Sequence, residues 1–184
     1  MKRVIVSTVA IVVLAVGGYF TYTTFFAKPL SPKEEVDFQY KDLNVHLVYS
    51  RPYRKNRLIF GKEEHTALVP FGKYWRLGAN EATEITFSKP IVFVGTLVPA
   101  GTYRMYAVPG EYVWEVSLNS ELGQSGSTEP NYALDVAKVK LPAQTFKGDA
   151  EQFTIQFSGN DVNAKIQLIW DITMVEIPFA PRRE

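Results

Sequence analysis

Three groupings in this sequence contain residues that could do chemistry. The first is Gly123-Gln124-Ser125-Gly126-Ser127, the nearest approach to a nucleophilic serine turn. Such a turn ends in glycine and joins a strand to a helix, so that the serine hydroxyl is lifted into reach. Here the last position is Ser127 and no helical period follows, so the segment reads as a solvated loop. The second grouping is His46 and His65, the chain's 2 histidines, with Glu63 and Glu64 beside the latter. A metal site needs three or four converging ligands. His46 falls on the polar side of a strand and His65 in a charged loop, so ordinary surface roles are expected and no metal or cofactor. With 0 cysteines, thiolate catalysis, Cys-ligated zinc, disulfides and a lipidated N-terminal cysteine are all excluded.

The third grouping is the densest. Arg51 follows Tyr49-Ser50, Arg57 precedes Leu58-Ile59-Phe60, and Trp75-Arg76-Leu77-Gly78-Ala79-Asn80-Glu81 carries the remainder. An arginine inside a short strand-like run costs energy unless paired, and Glu81 or Glu84 is the natural partner of Arg76 across the Gly78-Ala79 turn. Asn80 tolerates left-handed φ and can bond turn backbone groups. One reading is a structural arginine–carboxylate clamp. The other is a ligand-binding pocket in which Arg51, Arg57, Arg76, Asn80 and Glu81 face an anionic or polyhydroxyl ligand with Trp75 stacking on it. Carboxylate pairs for glycosidic chemistry meet in space and leave no spacing signature. Glu81 and Asp171 are the acids weighed for a hydrolase or isomerase.

The elements that must position these residues are strands. Leu43, Val45, Leu47 and Tyr49 alternate with polar neighbours, as do Thr83, Ile85 and Phe87, then Tyr112, Trp114, Val116 and Leu118, then Phe153, Ile155 and Phe157. Each segment can bury one face and wet the other. The longest run puts Ala164, Ile166, Leu168, Trp170, Ile172 and Met174 on one side and is expected to bend across both sheets. Val98-Pro99-Ala100-Gly101 and Val108-Pro109-Gly110-Glu111 read as turns, the second of type II with positive φ at Gly110. Gly61 to Thr66 and Asn119 to Asn131 read as loops. Roughly nine to eleven short strands argue for an all-β fold, a jelly-roll-like antiparallel β-sandwich.

The chain has 184 residues and 20 basic against 19 acidic side chains, a net charge of +1. Without Lys2 and Arg3 the remainder carries 18 against 19, so no basic excess points to nucleic acid. From Val4 to Phe26 there is no charged residue, a stretch of about 34 Å as a helix against a hydrocarbon core of about 30 Å. A single N-terminal transmembrane helix contacting the inner membrane through residues 4–26 is expected, with Lys2 and Arg3 holding the N-terminus in the cytoplasm and the domain in the periplasm. The alternative is a signal helix cleaved after Val16-Gly17-Gly18, with secretion to the periplasm. The organisation expected is therefore residues 1–28 as signal-anchor, 29–42 as linker and first strand, 43–178 as β-sandwich and 179–184 as tail.

Tyr49-Ser50-Arg51-Pro52, Arg57-Leu58-Ile59-Phe60-Gly61, Trp75-Arg76-Leu77-Gly78-Ala79-Asn80-Glu81-Ala82-Thr83 and Pro99-Ala100-Gly101-Thr102-Tyr103 resemble the blocks of a bacterial exported domain family of unknown function. The resemblance runs from about Val45 to Ile177. It implies a compact β-domain behind a signal or anchor in the Gram-negative cell envelope, and it brings no catalytic residue. Such domains carry an aromatic Trp-Gly element after the Trp114 strand, where this chain has Leu122-Gly123-Gln124-Ser125. The functional expectation is a non-catalytic module that binds an envelope protein or a saccharide-like ligand. Alternatives are an enzyme acting on envelope carbohydrate and a structural spacer.

Overall fold

The computed structural model describes residues 2–25 and 30–183, with side chains in the first segment at 7, 8 and 11–22. Two compact units result, residues 1–30 and 31–184. The first is a helix, α1 (Lys2–Phe25). Ile11, Leu14, Phe20 and Tyr22 on it are exposed. Among the described residues no helix is long and apolar enough to cross a membrane. Phe26 and Lys28, the expected far end of that segment, lie outside the described residues.

The second unit contains the strands β1 (Lys33–Tyr40), β2 (Leu43–Ser50), β3 (Phe60–Gly61), β4 (Val69–Pro70), β5 (Thr83–Phe87), β6 (Ile91–Phe93), β7 (Thr96–Val98), β8 (Gly101–Val108), β9 (Val113–Asn119), β10 (Asp135–Pro142), β11 (Gln144–Gly159) and β12 (Ala164–Pro181). A six-stranded sheet runs β1-β2-β5-β8-β9-β10, a four-stranded sheet β11-β12-β6-β7, and β3 pairs with β4. Every pairing in the two large sheets is antiparallel. The period-two residues explain why: Leu43, Val45 and Leu47 of β2 and Trp114, Val116 and Leu118 of β9 are buried in one cluster with Ile166, Leu168 and Trp170 of β12. Each such side chain contributes about 1.5–3 kcal/mol by leaving water. The fold is all-β, with two antiparallel sheets of unequal width enclosing one core.

Four expectations need correction. The long C-terminal strand stays in the four-stranded sheet rather than crossing both. Its phase also changes. Asp171 has φ 54° and pairs with Ala150 between two register shifts, so the alternation slips there. A one-residue slip exchanges the two faces of a strand. Beyond it Val175, Ile177 and Phe179 are the buried residues, whereas Ile172 is exposed and Met174 half-buried. Second, Phe179 to Pro181 are no tail, because they pair with β6. Third, Gly110 does not have positive φ. Glycine is needed there for space, since a Cβ would lie 2.5 Å from the Val113 carbonyl oxygen.

The fourth correction concerns the outer face of β8 and β9, which is dry where a wet one was expected. Arg104, Ser117 and Asn119 are all buried there. The stretch Asn119 to Asn131, read as a loop, begins at the last residue of β9 and then folds back over this face: Arg104 donates to the Thr128 carbonyl and Asn119 to that of Asn131.

Candidate functional site

An open groove of about 350 Å³ lies where the β8–β9 turn meets the middle of β12. That volume is within the range of small-ligand pockets, about 300–1,000 Å³. Its lining comes from distant stretches: Leu58 and Phe60 at β3, Phe71 after β4, Glu111 and Tyr112 before β9, Trp114 on β9, Thr145 on β11 and Asp171 and Thr173 on β12. The floor is the upper surface of an aromatic cluster. The Phe60 ring stands 4.8 Å from Trp114, 5.4 Å from Trp75 and 6.1 Å from Trp170, centroid to centroid. Tyr112 at the rim is 75% exposed, so its ring is free to meet a ligand.

The polar component is built by the irregularity in the β11–β12 pair. Bulges re-aim side chains and gather beside functional sites, and a non-glycine residue with positive φ is held only by its surroundings. What holds Asp171 is Arg54, whose Nη1 donates to Asp171 Oδ1 at 2.5 Å and to Asp149 Oδ1 at 2.6 Å, with Glu151 at 3.5 Å from Nε. The hydrogen bond to Asp171 is the main reason the Arg54 guanidinium sits above its ordinary value, with Asp149 adding to it against some desolvation. Of this cluster only Asp171 lines the groove, and one cation among three carboxylates leaves the surroundings of Asp171 acidic, suited to hydroxyl donors and hostile to anions. Among the described residues no group of His, Asp and Glu is arranged to hold a metal ion.

The six residues singled out from the sequence do not line this groove. Arg51 clamps sheets together, with Nη1 2.5 Å from Glu34 Oε2, Nε donating to the Phe153 carbonyl and Nη2 to Thr154 Oγ1. Arg57 is exposed and donates to the carbonyls of Arg54 and Tyr53. Trp75 is 6% exposed, stacked on Trp170 at 5.8 Å, and its indole N–H is spent on the Gly78 carbonyl. Its ring belongs to the core cluster. Arg76 donates to the Asn80 carbonyl at 3.0 Å and makes no ion pair with Glu81 or Glu84. Asn80 takes the left-handed conformation at φ 58°, and its side chain reaches Ser31. Glu81 is exposed and its backbone bridges to Ser125, whose hydroxyl meets that of Ser127. Of the two acids weighed, Asp171 lines the groove and Glu81 does not; Glu111 lines it in Glu81's stead. Glu111 sits in a turn, where neither periodicity nor motif marks a site, and Tyr112, expected on the buried face of the Trp114 strand, instead lies just before β9 with its ring exposed.

The sequence model of the DUF2911 proteins, described as proteins of unknown function, matches residues 31–179. The chain belongs to the DUF2911 family. No curated protein and no solved structure matches it. The DUF2911 match begins where the second compact unit begins, and takes in all residues of the groove.

The DUF2911 domain also holds a tyrosine-rich polar layer under residues 120–134. Tyr106 donates to Asp135 Oδ2 at 2.7 Å and Tyr132 to Glu129 Oε2 at 2.5 Å. Burial raises the Tyr74 and Tyr106 phenols above their ordinary value of about 10, and burial followed by Glu129 pushes Tyr132 up to about 12. The folded state thus disfavours phenolate. Below pH 10 the folded and unfolded phenols are alike neutral and stability is flat; above it the unfolded phenols ionise first and stability falls up to about pH 12. Urea midpoints measured from pH 8 to pH 12 should show this decline, and Tyr106→Phe should make it shallower.

Proposed function

We propose that this DUF2911 protein is a non-catalytic binding module for a neutral, saccharide-like ligand, tethered at the outer side of the inner membrane by its N-terminal helix. The observation carrying the ligand class is the groove itself: an exposed tyrosine ring beside an aromatic floor, with carboxylate acceptors at one end. A pyranose offers an apolar face to such a ring and hydroxyl donors to such carboxylates. The local acidity argues for a neutral ligand over an anionic one. A spacer would need no such groove.

The tether rests on the uncharged run 4–26 behind Lys2 and Arg3 and on the exposed apolar side chains of α1. On this reading the domain lies in the periplasm of a Gram-negative envelope. N-terminal sequencing of the membrane fraction tests this, and a mature chain starting near Tyr19 would replace the anchor with a cleaved signal.

The ligand reading is tested with the full chain in mild detergent on an array of neutral oligosaccharides. Retention of a glycan is expected, weakened about tenfold or more by Tyr112→Ala and by Asp171→Asn, a loss of about 1.4 kcal/mol each. An empty array, or Tyr112→Ala binding as the parent does, would refute it. A second reading is favoured by Glu111 and Asp171 sharing the groove: hydrolysis of the retained glycan, abolished by Glu111→Gln, would make the protein an enzyme acting on envelope carbohydrate. An envelope protein crosslinked through Tyr112 with no glycan bound would make the groove a protein interface.

A further inference from the structure

Arg104 is 1% exposed, and Ser117 and Asn119 beside it on the outer face of β9 are 0% exposed. Arg104 pairs with Asn119 across the strands, and Tyr106 with Ser117. Of the three guanidinium nitrogens only Nη2 is used, donating to the Tyr74 hydroxyl and the Thr128 carbonyl. Nε and Nη1 are buried without a hydrogen-bond partner, and the Ser117 hydroxyl beside them faces that of Tyr106. A guanidinium stays charged at any ordinary pH, and a buried charge without an anion is among the costliest arrangements in a protein.

The neighbouring carboxylates do not supply the missing charge. Asp135 is occupied by Tyr106, Asn119 and Lys138, and Glu129 by Tyr132. Glu84 stands opposite Arg104 on β5 yet makes no ion pair with it. The cover is a short strap. Tyr74 donates to the Gly126 carbonyl at 3.0 Å, and Gly123 starts the strap at φ 75° with open space around it. Ser125, Ser127, Thr128 and Glu129 on it are all exposed.

We propose that Arg104, Ser117 and Tyr74 form a binding seat for a small oxyanion, a carboxylate or phosphate group, reached when the 123–130 strap lifts. Arg104 supplies the charge and the free N–H donors, and Ser117 a hydroxyl donor. Tyr74, released from Gly126, supplies a second hydroxyl. The seat belongs to the outer face of the six-stranded sheet and is separate from the aromatic groove, so its ligand is independent of the saccharide reading.

The test uses the full chain in detergent micelles, isotopically labelled so that the Arg104 Nε–H and Ser117 amide signals are followed by NMR at constant ionic strength. Inorganic phosphate is one probe and acetate the other. Saturable shifts of both signals are expected with at least one probe, weakened about tenfold by Ser117→Ala, which removes one hydrogen bond to a charged group. Shifts with acetate assign the seat to carboxylates, and shifts with phosphate alone to phosphoryl groups. The same probe should raise the melting temperature of the parent and not of Arg104→Lys. No saturable shift with either probe overturns the proposal, as does a shift unchanged by Ser117→Ala, which would report surface lysines. Binding seen only in Glu84→Gln also overturns it, because Glu84 would then be the counter-ion of Arg104.

Discussion

Gly78→Ala is expected to cost the domain roughly 2–6 kcal/mol, a large share of a total stability of about 5–15 kcal/mol. Two effects add. Gly78 has φ 148°, a conformation that a residue with a Cβ rarely adopts, and the added methyl would lie 2.5 Å from the Ser50 carbonyl oxygen, a backbone atom with nowhere to go. The damage would spread, because the Gly78 carbonyl accepts the Trp75 indole N–H and the preceding Leu77 carbonyl accepts from buried Thr83. Gly72→Ala is the control. Gly72 also has positive φ, 75°, but nothing lies within 4 Å of its Cβ position, so only the conformational cost of about 1–2 kcal/mol remains. Urea unfolding of both variants should separate them by more than the φ penalty alone. Equal midpoints would mean that the end of β2 at Ser50 gives way and that the close approach has no energetic weight.

Trp75→Ala is the second large effect, expected to cost about 3–5 kcal/mol with no direct loss of ligand contacts. Its ring lies 4.9 Å from Phe153, 5.7 Å from Trp114 and 5.8 Å from Trp170, so truncation leaves a void between the two sheets. Trp75→Phe keeps part of the packing and should recover about half of the loss. Urea midpoints supply the energies. Glycan retention by the folded fraction of Trp75→Phe should match the parent, whereas a selective binding defect in a fully folded variant would restore Trp75 to the ligand site.

That reversal of role shows where reading the sequence reached its limit. Alternation placed β2, β5 and β9 and assigned their core-facing side chains correctly, because Leu43 to Tyr49, Thr83 to Phe87 and Trp114 to Leu118 each follow one pleat without interruption. It failed at Asp171, where a carboxylate in a polar phase looks ordinary and the left-handed turn of backbone is invisible. It failed again on β9, where Ser117 and Asn119 have the composition of a wet face and a strap from elsewhere keeps them dry. The site suffered most. Arg51, Trp75 and Arg76 are neighbours in a conspicuous cluster, yet their side chains leave in three directions, to β11, into the core and to a local carbonyl. The groove gathers residues from several segments that only the tertiary fold brings together.

The pairing of β6 with the end of β12 also fixes an order of events as the chain is made. Phe93 and Phe179 are register partners 86 residues apart. At a synthesis rate of about 5–20 residues per second, Ile91 and Phe93 wait roughly 4–17 s for the strand that covers them. Throughout that interval the β6–β7 hairpin presents a bare apolar edge, the kind that joins to any other strand it meets. Completion of this domain is therefore a closing step performed by its last residues, and the moment of greatest vulnerability comes before they emerge.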